Sequence, residues 1–165
     1  MHEFETENLF IRLLEEKDRK HFIALYTNPK IMKNIAQTLT IQQANNMFDA
    51  ILHKYLSNNY EMMIWVIYRK EDRQFSGIES LSFQSFKDKK AEAGLILDRL
   101  SHGKGTAVEA LVGLIEYGFS HLNLNLIYAR CGEKNYAPQR VLRRSGFTKL
   151  GSVIDGTFTY AIHKK

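Results

Sequence analysis

His102-Gly103-Lys104-Gly105-Thr106-Ala107, running straight into Val108-Glu109-Ala110-Leu111, is the stretch on which the reading of the chain turns. A glycine-rich turn meets the first turn of a helix whose apolar positions, Ala107, Leu111, Leu114, Ile115, Gly118, Phe119 and Leu122, fall at helical spacing. Glycine lets backbone approach a ligand closely, and the unpaired N–H groups and dipole at a helix start favour an anion. Lys104 adds a mobile positive charge. The same hexapeptide also suits an ordinary strand-to-helix turn, because glycine pairs are common in loops. A dinucleotide fingerprint would need glycine where Val108 stands, and no glycine precedes Gly103-Lys104 at P-loop spacing.

The flanking sequence narrows the choice. Upstream, Ala91-Glu92-Ala93-Gly94-Leu95-Ile96-Leu97 reads as a mostly buried strand. Downstream, Leu124 to Cys131 is another strand. Asn135 then opens a short helix that Gly146 closes. Elsewhere the patterns predict strands near 8–14, 62–69, 74–84, 147–153 and 156–163, and helices near 16–27 and 41–56. Glu71-Asp72-Arg73 and Asp155-Gly156 read as hairpin turns. Hairpins beside a strand–helix–strand crossover give an α+β class, with about seven strands in a mixed, mostly antiparallel sheet and about four helices.

The order and the motifs resemble the GNAT superfamily of acyl-CoA N-acyltransferases, in the branch similar to the RimJ and RimL ribosomal-protein N-terminal acetyltransferases. The family's acyl-CoA loop runs Gln/Arg-x-x-Gly-x-Gly/Ala, matched by residues 102–107 with His102 in place of Gln or Arg. Its second motif, Asn-x-x-Ser followed by Val-Leu, a basic residue and Gly-Phe, is matched by Asn135, Val141, Leu142, Arg144, Gly146 and Phe147, with Pro138 in the serine position. The opening Leu9-Phe10-Ile11-Arg12-Leu13-Leu14-Glu15-Glu16-Lys17-Asp18 also looks like this branch, so the likeness covers nearly the whole chain.

Length and composition fit one domain spanning 1–165, with 44% hydrophobic and 25% charged residues. No apolar run approaches the ~20 residues that cross a bilayer, and Met-His-Glu-Phe-Glu has no signal-peptide character, so a cytoplasmic protein without membrane contact is expected. The one cysteine, Cys131, has no internal partner, and no Cys/His spacing resembles a zinc site, so no metal is expected. The net charge of +5 directs attention to anionic ligands. The basic residues are dispersed, however, and no stacking or helix-turn-helix motif appears, which disfavours nucleic acid as a partner. Arg140, Arg143 and Arg144 form the densest cluster; with Lys104 they suit either nucleotide phosphates or solvated surface. The chain leaves open whether it is a monomer or a homodimer.

The resemblance implies acetyl-CoA as co-substrate and direct attack of a primary amine on its thioester. It implies that the backbone of Leu95, Ile96 and Leu97 meets the pantetheine arm. His102, Gly103, Lys104, Gly105, Thr106 and Ala107 would hold the pyrophosphate, Arg140 a phosphate, and Asn135 the pantetheine or acyl end. Glu92 is the candidate base, with solvent-facing strand decoration as the other reading, and Glu79 is the reserve. The family's usual acids, a Tyr or a Ser on the last helix, correspond here to Leu142 and Pro138, so Tyr136, Tyr128 and Cys131 become the candidate donors, with water beside them. Tyr26, Asn28, Met32, Phe48 and Tyr55 would form an acceptor wall or simply core.

An α-amine, with a pKa near 7.7–8.0, is neutral for roughly one molecule in ten at pH 7, whereas an amine near 10.4 is neutral for about one in a few thousand. Together with the basic chain, this favours a protein or peptide N-terminus over polyamines or aminoglycoside-type amines. A non-catalytic acyl-CoA sensor and a basic nucleic-acid-binding module are the other classes left open.

Overall fold

The computed structural model describes residues 2–165. Eight strands form one sheet: β1 (Glu3–Glu5), β2 (Leu9–Leu13), β3 (Met62–Arg69), β4 (Phe75–Ser82), β5 (Lys90–Leu97), β6 (Leu126–Gly132), β7 (Thr148–Ile154) and β8 (Thr157–His163). Five helices accompany them: α1 (Arg19–Tyr26), α2 (Pro29–Met32), α3 (Ile41–Leu56), α4 (Thr106–Ser120) and α5 (Tyr136–Arg144). The order across the sheet is β1-β2-β3-β4-β5-β6-β8-β7, and every neighbouring pair is antiparallel except β5–β6. A mixed α+β sheet was expected, and it is found with one strand and one helix more than the patterns predict.

The two additions are the shortest elements. Asn28 caps α2 by accepting from the amides of Lys30 and Ile31, and Pro29 occupies its first turn. The β7–β8 hairpin turns on Asp155 and Gly156, both with positive φ (50° and 71°), the backbone that a two-residue turn matching strand twist requires.

β3 carries apolar residues on both faces because helices cover both. On one face α4 and α5 lay Leu111, Leu114 and Leu142 over Ile11, Trp65, Leu81 and Tyr160. On the other, α1 and α3 bury Phe22, Leu25 and Phe48 against Ile64, Val66, Ile78 and Ile96. A buried ion pair ties β2 to the start of α1: the Arg12 guanidinium donates to both oxygens of Asp18 at 2.8 and 2.9 Å. The Tyr68 hydroxyl and the Glu15 amide, each at 2.8 Å, complete the shell of that carboxylate. Burial works to raise the Asp18 pKa, but these donors outweigh it and hold the group below its ordinary value.

Among the described residues Glu79 is the one buried carboxyl group without a partner. It stands on β4 between Trp65 and Leu95, is 1% exposed, and neither carboxyl oxygen has a hydrogen-bond partner. Burial raises its pKa well above the ordinary carboxylate value and so favours the neutral acid. Because the folded-state pKa exceeds the unfolded one, the folded chain binds the extra proton. Stability is therefore highest below the ordinary carboxylate value and declines as pH climbs toward the folded-state value. Glu79→Met removes that slope and an unsatisfied buried acid costing about 1–3 kcal/mol. At pH 7.5 its Tm should exceed the wild type's by about 5 °C, given roughly 2–4 °C per kcal/mol for a chain of this size. A variant melting at or below the wild type by scanning calorimetry would mean that Glu79 has a partner.

Candidate functional site

The parallel pair supplies the site. β5 is bonded to β4 along 92–97, yet it meets β6 only through Lys90–Leu126, Ala91–Ile127 and Glu92–Tyr128. From Ala93 onward the strands part, and one edge of β5 lacks a neighbouring strand. The wedge between them opens into a cleft of about 530 Å³. Ala93, Gly94, Leu95 and Leu97 form one wall, while Ala129, Arg130 and Cys131 of β6 form the other. α4 and α5 cover one end with Ala107, Leu111, Val141 and Leu142. Ile31, Asn34 and Ile35 reach in from the α2 side, so the cleft passes through the sheet and touches both layers.

At the mouth stands the glycine loop. Gly103 and Gly105 have φ of 74° and 77°, and a Cβ at either would meet open space. Gly105 is the N-cap of α4 and offers no side chain, and the first intrahelical bond of the helix runs from the Glu109 amide to the Gly105 carbonyl. The amides of Thr106, Ala107 and Val108 therefore lie free at the positive end of a fifteen-residue helix. The His102 ring Nε2 bonds the Leu97 carbonyl at 3.2 Å, tying the loop to the end of β5. These features fit a pyrophosphate: two glycines at the cleft with open space beside them, free amides, and arginines in the same lining.

Of the residues expected to meet the co-substrate, Leu95, Leu97, His102, Gly103, Gly105, Ala107, Asn135 and Arg140 line the cleft. Ile96 turns its side chain into the α1–α3 core, leaving only its backbone beside the opening. Lys104 is exposed and Thr106 buried, and neither side chain lines the cleft. The Asn135 side chain makes no cap bond although it begins α5, so its amide is free toward the cavity. Gln139, which the motifs did not single out, donates to the Gly132 and Glu133 carbonyls at 3.2 and 2.9 Å and fixes the turn that presents Asn135.

The candidate acids and bases separate. Tyr136 is 67% exposed at the outer start of α5 and does not line the cleft, against the expectation that it stands near the reacting centre. Cys131 does line it, and burial pushes its thiol pKa up despite nearby Arg143. Glu92 does not line the cleft; it stands just before Ala93, at the last β5–β6 register pair, with both oxygens accepting from Arg130 at 2.9 and 2.8 Å. Glu79 lies outside the lining, in the core beneath α4. Met32 and Phe48 are fully buried, and Tyr55 accepts from the Ile64 amide at 2.7 Å. Core packing therefore accounts for them, and the α2-side lining comes instead from Ile31, Asn34 and Ile35.

The family profile described as "Acetyltransferase (GNAT) domain" matches residues 8–148. The chain belongs to the GNAT acetyltransferase family. This GNAT chain is 30% identical over 152 residues to the uncharacterized N-acetyltransferase p20 of Bacillus licheniformis, covering 91% of the chain and 84% of that protein. Its fold matches the spermidine N-acetyltransferase of Vibrio cholerae in complex with CoA and spermine, with a TM-score of 0.82, 20% identity and coverage of 94% and 95% of the two chains. It likewise matches RimL, a ribosomal α-N-protein acetyltransferase in complex with coenzyme A, with a TM-score of 0.80, 17% identity and coverage of 96% and 95%. The GNAT enzyme is an N-acetyltransferase, and its co-substrate is acetyl-CoA. Among its described helices none is long and apolar enough to cross a membrane.

Proposed function

We propose that this N-acetyltransferase uses acetyl-CoA to acetylate the α-amine of a protein or peptide N-terminus. One observation carries the choice of acceptor: among the described residues no Asp or Glu lines the cleft, whereas Arg130, Arg140, Arg144 and His102 do. A polycationic amine needs carboxylates where it docks, and an α-amine that enters neutral needs none. A folded-protein likeness to both a spermidine and an α-N-protein acetyltransferase leaves the acceptor to the chemistry of the cleft.

In this reading the loop amides and Arg140 hold the pyrophosphate, and the free edge of Leu95–Leu97 receives the amide-bearing pantetheine arm. The thioester then points to the closed end, where the acceptor arrives from the α2 side. The nitrogen lone pair attacks the thioester carbonyl, the C–S bond breaks, and the amine proton passes to Glu92 through water. Cys131, kept protonated by burial, is the side chain in the cleft able to face the departing thiolate; water is the other donor. The thiolate, near pKa 8.5, makes little demand on either.

The test is thiol release with N-terminal peptides against spermidine. Glu92→Gln should lower kcat about 10²-fold, the scale of a lost general base, most visibly near neutral pH, with acetyl-CoA affinity within twofold of wild type. An unaltered pH–rate profile would remove Glu92 from the proton path. Exclusive use of spermidine would overturn the acceptor reading.

A further inference from the structure

We infer that Arg130 is a specificity-determining residue, which selects acceptors that arrive uncharged by cancelling the carboxylate of Glu92 beside the closed end of the cleft. The inference rests on the acceptor entering at this end, as proposed above.

The geometry is particular. Glu92–Tyr128 is the last register pair before β5 and β6 diverge, and Arg130 is the next residue on the same face of β6. Its Nε and Nη2 donate to the two oxygens of Glu92 at 2.9 and 2.8 Å, so the pair spans the strands where they come apart. Glu92 and Gly94 share the face of β5 that Ile96 turns toward α1 and α3, the side from which Ile31 and Asn34 reach the cleft. Arg130 lines the cleft and 58% of its side chain is exposed, while Glu92, outside the lining, is 26% exposed.

Stability does not explain such a pair. An exposed ion pair contributes about 0–1 kcal/mol, and β5 is already held by β4 along 92–97. Its consequence is electrostatic. With Arg130 present, the Glu92 carboxylate is matched, and Lys90 two residues earlier adds further positive charge on the same face. An ammonium ion finds no net negative charge there and meets a guanidinium first. A neutral amine meets no such barrier, and its nitrogen can still reach lone pairs of Glu92 that Arg130 leaves unused, directly or through water. The relative abundance of neutral α-amine over neutral polyamine nitrogen, about two orders of magnitude at pH 7, then becomes a preference of the enzyme.

Removing the positive charge should convert this end into a cation site. Calorimetric titration of CoA-loaded protein with spermidine tests that without requiring turnover. Arg130→Met is expected to bind spermidine at least tenfold more tightly than wild type, Arg130→Lys to resemble wild type, and the Arg130→Met, Glu92→Gln double variant to lose the gain. A gain below tenfold in Arg130→Met, or one that survives Glu92→Gln, overturns the inference. Thermal melts within about 2 °C of wild type confirm that the exposed pair was removed without unfolding, and Arg130→Gln repeats the charge change if the Met variant does not fold. Peptide acetylation by the wild type is scored separately. Its absence would remove the α-amine acceptor and leave the spermidine titration to judge Arg130.

Discussion

Arg12→Met should lower stability by about 3–5 kcal/mol, because it leaves the Asp18 carboxylate sealed in the fold with its cationic partner gone. Asp18 is fully buried, and the Tyr68 hydroxyl and Glu15 amide that remain cannot neutralise it. Given roughly 2–4 °C per kcal/mol, the melting temperature should drop by about 10 °C. The loss should also depend on pH. The folded-state pKa of Asp18 lies below its unfolded value, so its contribution is full above the unfolded value and disappears as pH falls through the folded one. Wild type and variant should accordingly converge on acidification. Adding Asp18→Asn to the variant should recover part of the loss at neutral pH. A single variant melting within about 2 °C of wild type at pH 7.5 would show that the pair carries no net stability.

Gly105→Val should reduce acetyl-CoA affinity by at least 100-fold. Two causes act together. The backbone at this position has φ of 77°, where a β-branched side chain costs about 1–2 kcal/mol or more, and the valine would occupy the open space in front of the free amides of α4. The loop is exposed and its glycine Cβ positions touch nothing, so strain should appear as loop rearrangement rather than global unfolding. Calorimetric titration with acetyl-CoA, beside a thermal melt, separates the effects. A folded variant that binds within tenfold of wild type would return the glycine turn to a connector with no ligand.

The run from β5 through the loop, α4, β6 and α5 was legible because its signals are local: glycines at a helix start, apolar residues at helical spacing, and an Asn and a Gly bracketing α5. Asp155-Gly156 was legible for the same reason, since the turn itself demands positive φ at both positions. β1 was not, because three residues are too few for alternation to register. α2 left a trace in Asn28-Pro29, a cap followed by a first-turn proline, that could have been used. The site divides along the same line. Residues proposed to act through backbone announce themselves: Gly103 and Gly105 in the loop motif, and Leu95–Leu97 in the apolar strand before it.

Contacts made by register do not announce themselves. Glu92 and Arg130 lie 38 residues apart and meet only because β5 and β6 pair for three positions before parting. Parity along β4 did carry a hint: Gly77, Glu79 and Leu81 share a face, and Leu81 is core, so Glu79 goes inward with it. No local pattern reveals that this inward carboxyl finds no partner.

Among the described residues, three register pairs and the Glu92–Arg130 ion pair join β1–β5 to the β6–β8–β7 group within the sheet. The protein is thus two slabs riveted at one corner, with α4 as the strap between them. If the co-substrate lies along the free edge of β5 as proposed, its amides fill the gap as a missing ninth strand would, and binding it adds to the cohesion of the fold. Every factor of ten in ligand concentration above Kd then stabilises the folded chain, corner included, by about 1.4 kcal/mol.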